Sequence, residues 1–146
     1  MAGELIVKLG TTKTLEANGG AIATDVIVQA NDASYSLAAD GAYYPDAEFV
    51  LGCTYGSAPL SGPPISLLAR PINVDGTSDT EVPEASRPTR FIGNFFPNNV
   101  TTPQYMTLVG RDLPLEAEYY LYNASTGQTV SAGWTLKVTP RTVAPA

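Results

Sequence analysis

The sequence has no histidine and only one cysteine in 146 residues. Without histidine there is no Ser-His or Cys-His nucleophile pair and no histidine-ligated zinc. The cupin-type metal chemistry that is the main catalytic use of small jelly rolls is excluded as well. A lone cysteine closes no disulfide within the chain, which fits synthesis in a reducing compartment. Cys53 falls in the run Glu48–Tyr55, on the face shared by Phe49, Leu51 and Tyr55. That pattern predicts a small buried hydrophobe rather than a nucleophile. Charge is scarce too, at 15% of residues against a usual ~25%. The eight basic residues face fourteen acidic ones, for a net charge of −6. Such a balance argues against nucleic acid, whose binding depends on phosphate neutralisation, and against anionic membrane surfaces. No apolar run reaches the roughly 18 residues of a membrane span. The first ten residues, MAGELIVKLG, lack the basic and long apolar regions of a signal peptide, so a cytoplasmic site of synthesis is expected. Nucleotide-binding glycine loops and the G-x-S-x-G elbow are missing, and no cofactor or metal is expected.

What the chain does have is alternation. In Thr129–Thr139 the apolar positions are Val130, Ala132, Trp134, Leu136 and Val138, with polar residues or glycine between them. A period of two predicts a strand with one face on a core, and it places Trp134 in that core. Leu115–Tyr122 alternates as well, with Leu115, Ala117, Tyr119 and Leu121 on one face. The tether Asn123–Gln128 is turn-prone, so 115–139 reads as one long antiparallel hairpin. Further strands are expected over Glu4–Leu9, Ile22–Ala30, Ala47–Tyr55, Ile65–Ala69, Thr89–Phe96 and Gln104–Val109, with a short ambiguous one at Ser34–Ala39. Gln104–Val109 is apolar on both faces, which suggests a central position. Thr11–Gly20 reads as a polar turn region, because it ends in Asn-Gly-Gly.

Thirteen glycines and twelve prolines, spread along the chain, fit many short strands. The expectation is a single all-β domain over 1–146. It is an antiparallel β-sandwich of jelly-roll type, with about eight or nine strands and no helix. A long acidic loop is expected at 70–88 and a flexible tail at 140–146. A surface light in lysine and glutamate favours association.

Several residue groups invite a chemical reading. Glu116 and Glu118 share a strand face, which a solvated sheet often shows without catalysis. Asp75, Asp79 and Glu81 have the composition of a loose calcium loop but not the spacing of an EF-hand. Asn99-Val-Thr101 and Asn123-Ala-Ser125 match a glycosylation sequon, a pattern common by chance. Tyr120 and Tyr122 lie opposite the core face of their strand. There they could stack on sugars, mark a protein interface, or simply pair across strands. Tyr43 and Tyr44 form a second candidate contact point in a turn.

The glycine-bearing first strand MAGELIVKLG, the Thr/Asn/Gly-rich strand-turn pattern and the closing EYYLYNASTGQTVSAGWTLKVTP resemble the capsid decoration (cement) proteins of tailed bacteriophages. The resemblance implies a sandwich that binds the outer surface of a virion and bridges neighbouring major capsid proteins without enzymatic activity. It implies a homo-oligomer, a dimer or trimer, made in the host cytoplasm and located on the capsid. The contact elements it suggests are the terminus Met1, Ala2 and Gly3, the pair Tyr43 and Tyr44, and the loop with Asp75, Asp79 and Glu81. Two alternatives share the composition: a tail or fibre β-domain of a virion, and a carbohydrate-binding module using Tyr120 and Tyr122.

Overall fold

A computed structural model of the chain describes residues 4–30, 35–37, 44–72, 77, 80–86 and 90–145. All regular elements among them are strands: β1 (Leu5–Leu9), β2 (Lys13–Gly19), β3 (Ile27–Gln29), β4 (Tyr35–Ser36), β5 (Asp46–Cys53), β6 (Ile65–Pro71), β7 (Arg90–Phe95), β8 (Gln104–Gly110), β9 (Glu116–Asn123) and β10 (Trp134–Pro145). They form two antiparallel five-stranded sheets. In the first the order is β1-β10-β5-β8, with β2 also on β10; in the second it is β3-β9-β6-β7, with β4 also on β9. The all-β sandwich expected from the alternation is therefore what forms, with ten strands.

The core lies between the sheets. Ala47, Phe49, Leu51 and Cys53 of β5 and Trp134, Leu136 and Val138 of β10 face Ile65, Leu67 and Ala69 of β6 and Ala117, Tyr119 and Leu121 of β9. The Phe49 and Tyr119 rings meet across the gap with centroids 5.1 Å apart. Trp134 is buried as expected, and its indole N–H donates to the Gly20 carbonyl at 2.6 Å. Its ring occupies the space over Gly19, where an added Cβ would lie only 2.0 Å from the indole.

The expected 115–139 hairpin does not form. β9 and β10 belong to different sheets, and the connection crosses the sandwich. Its first part is locked by Asn123, whose side-chain amide donates to the carbonyls of Ile22 and Gln128 while its oxygen accepts from Thr126 Oγ1 at 2.6 Å. Val130 bridges to Ile22 and Tyr55 instead of extending β10. Gly133, at φ 94°, turns the chain into β10. Four other expectations are corrected. Thr11–Gly20 contains a strand, because Leu15 and Gly19 of β2 are buried along β10. Ile22–Ala30 is interrupted by a turn with Asp25 at φ 62°, leaving β3 short. β8 is an outer strand of its sheet, not a central one. The tail is not free: residues 141–145 continue β10 and pair with β1 in register from Leu9↔Arg141 to Leu5↔Pro145.

Candidate functional site

Two properties of β10 create an exposed apolar surface. The strand is twelve residues long, but β5 accompanies it only from Thr135 to Arg141. Beyond that point its described neighbour is β1, so β1 and 141–145 form a two-stranded ribbon past the end of the core. Alternation along β10 puts Trp134, Leu136, Val138 and Pro140 inward. The odd positions therefore face outward, and register carries Leu5, Val7 and Leu9 onto that outer face beside Pro145, Val143 and Arg141. These apolar side chains are uncovered: Leu5 is 71% exposed, Leu9 63%, and Val7 and Val143 are more than half exposed. Ile6 and Lys8 take the opposite face and are exposed too. An isolated two-stranded ribbon is marginal in water, and exposed apolar patches are where contact surfaces are sought.

A second feature lies on the same outer face, farther along the sheet. Tyr105 of β8 is 76% exposed. Its ring reaches over Gly52, where an added Cβ would lie 2.8 Å from the ring and 2.9 Å from Thr135 Oγ1. Gly52, Cys53, Thr54, Pro103, Tyr105, Gly133 and Thr135 line an open cleft of about 240 Å³. Cys53 borders it but is buried, and burial pushes its thiol up to about 11, so the thiolate is disfavoured. Among the described residues no group of three or more acidic or cysteine side chains could hold a metal ion.

The two tyrosines proposed from the sequence differ in exposure. Tyr120 is on the outer face of the second sheet, as the alternation predicts, but it is only 4% exposed. Its hydroxyl donates to Glu118 Oε2 at 2.8 Å, and the same carboxylate oxygen pairs with Arg70 at 2.9 Å. Arg70 Nε in turn donates to the Thr80 carbonyl, which anchors the acidic loop beside this network. Burial, then the Glu118 carboxylate, pushes Tyr120 up to about 12. It is a structural tyrosine and not an exposed stacking platform. Tyr122 and Tyr44 are half-buried, Glu81 is exposed, and Glu118 is an ion-pair partner rather than half of a carboxylate pair. Met1, Ala2, Gly3, Tyr43, Asp75 and Asp79 lie outside the described residues. Of the two sequons, Asn123 is fully buried with its amide engaged, which closes it to a glycosyl acceptor role.

No protein-family model matches this chain, and no curated protein matches it either. Sequence reasoning missed the ribbon because Glu4–Leu9 looks like an ordinary amphipathic strand. The signal available was that Ile6 breaks its polar face, so neither face of that strand is wholly polar.

Proposed function

We propose that this protein is a non-enzymatic structural protein of a virion, one that attaches to the outer capsid surface and reinforces joints between major capsid proteins. The observation that carries the reading is the uncovered outer face of the β1–β10 ribbon. Leu5, Val7, Leu9 and Val143 stand side by side on this face and are each more than half exposed. An apolar strip held on a paired ribbon can lie along a neighbouring protein as an added layer or strand. The acidic, lysine-poor remainder of the surface limits adhesion to nucleic acid. Each copy can bind modestly if several joints are engaged at once, since linked contacts multiply. The test is protein quantification in purified particles of the virus that encodes the chain, together with co-sedimentation of the purified protein on its full capsids. Hundreds of copies per particle, with loss of sedimentation in a Leu5→Ser/Leu9→Ser double variant, are expected. A few to tens of copies would move the protein to the tail or fibre, and absence from particles would overturn the reading.

A second reading draws on Tyr105. An exposed ring beside a cleft carrying Thr54 and Thr135 is the kind of surface on which a sugar ring stacks. A glycan array on the purified protein and on Tyr105→Ala separates it: silence from both removes carbohydrate binding.

A further inference from the structure

Among the described residues β1 is an edge strand of the first sheet. At the opposite side of the same sheet, β8 packs its face against β7, where a Cβ on Gly110 would come within 2.8 Å of Ile92, and among the described residues it pairs only with β5. β1 has β10 on one side and, among the described residues, no strand on the other. The direction of its backbone groups follows from one hydrogen bond. Gly10 N–H donates to the Pro140 carbonyl at 2.7 Å, and register places Gly10 opposite Pro140. In an antiparallel ladder hydrogen-bonded pairs alternate with non-bonded ones. Lys8 and Ile6 therefore turn their N–H and C=O groups toward β10. Leu5, Val7 and Leu9 turn theirs outward, to the free edge. Leu5, Val7 and Leu9, whose apolar side chains are the most exposed of β1, are thus also the residues of β1 whose backbone groups have no strand partner among the described residues.

The sequence of that edge is its own complement. Read about Val7, Leu5-Ile6-Val7-Lys8-Leu9 places leucine opposite leucine when a second copy runs antiparallel to the first. We propose that β1 pairs with β1 of a second copy about a two-fold axis through Val7. The pairs are Leu5 with the partner's Leu9, Val7 with the partner's Val7, and Leu9 with the partner's Leu5. Each pair exchanges two hydrogen bonds, because all three residues point outward in both copies. A two-fold contact requires a surface that complements itself, and this edge does. Pairing joins the two first sheets into one continuous sheet. It also merges the two exposed apolar strips into a single platform on the outer face of that sheet.

This deepens the proposed function by naming the joint between copies, but it rests on strand geometry and not on the capsid. The experiment is done on the full chain in solution. Light scattering across a range of protein concentration is expected to give a dimer. Val7→Pro removes an outward-facing donor, a position where an edge strand tolerates proline. It is expected to give a monomer with an unchanged far-ultraviolet spectrum. Should Val7→Pro fail to fold, Val7→Cys provides an independent readout. A short bis-maleimide is expected to link Val7→Cys into covalent dimers but to leave Lys137→Cys monomeric, and the buried Cys53 does not interfere. A monomer at every concentration, a trimer, or equal cross-linking of both cysteine variants would overturn the proposal. A dimer without capsid affinity keeps it and removes the capsid reading; a monomer that decorates capsids does the reverse.

Discussion

Single residues set the alkaline limit of this fold. Cys53 is buried between the sheets beside Tyr55, and desolvation raises its thiol from an ordinary value near 9 to about 11. Burial raises Tyr55 and Tyr119 in the same direction, and Tyr120 to about 12. In the unfolded chain these groups lose their protons first. Above about pH 9 the unfolded state thus binds fewer protons than the native one, and stability falls as pH rises. The contribution of Cys53 is fully present below pH ~9 and is lost as pH climbs through its folded value. A shift of about two units corresponds to a loss of at most about 3 kcal/mol. Chemical denaturation at a series of pH values is expected to show a flat region to about pH 8 and then a decline. In Cys53→Ala the onset is expected near pH 10, where the tyrosines take over. If the variant and the parent decline together from pH ~9, the thiol is not the group responsible.

At the scale of elements, the ribbon and the sandwich make separable contributions. Every residue of β1 is exposed, so little apolar area is lost when it detaches. The part of β10 that meets the core, Trp134–Pro140, keeps β2 and β5 as neighbours without it. A chain ending at Pro140 is expected to unfold cooperatively within about 1 kcal/mol of the parent. Its residues 5–9 should become readily cleaved by protease, because β1 then has no partner strand within its own chain to hold it against the sandwich. A loss of several kcal/mol in urea would show that the ribbon is part of the core. The same division explains what could be read in the sequence. Alternation identified β5, β9 and the core-facing part of β10 as strands and placed Trp134, Cys53 and Phe49 in the core, because burial on one face dictates a period of two; β6, β7 and β8 were recognised as short apolar or aromatic-rich runs. Alternation does not encode which strand lies beside which. Ten residues between Asn123 and Trp134 can close a hairpin or cross to another sheet, and Asn123 with Thr126 selects the crossing through contacts with Ile22, a hundred residues earlier in the chain. β2 was hidden because it contributes one buried aliphatic side chain, Leu15, and otherwise joins the sheet through its backbone. β8 looked central because Tyr105 and Val109 are apolar, yet both lie on the exposed face. Tyr120 was expected in the open because the Arg70–Thr80 contact that brings the loop beside it leaves no mark on periodicity.

For the whole molecule, net charge and the β1 edge act in opposite directions on association. Two copies each carrying −6 repel as they approach, and the repulsion is long-ranged at low salt. The contact itself holds no comparable charge. In the two-fold pairing Lys8 lies opposite the partner's Ile6, with the partner's Glu4 on one diagonal and the partner's Lys8 on the other. An exposed pair at that separation is worth well under about 1 kcal/mol. What holds the copies is backbone hydrogen bonding and apolar contact among Leu5, Val7 and Leu9, which added salt does not weaken. Screening the repulsion, with a Debye length falling from about 30 Å at 0.01 M to about 8 Å at 0.15 M, should therefore tighten the dimer. Sedimentation equilibrium in sodium chloride is expected to show the dissociation constant dropping several-fold over that range and levelling off above it. The opposite slope would mean that ion pairs join the copies. β1 contributes a single lysine, so the joint would then have to be sought at the acidic loop around Glu81 rather than on this edge.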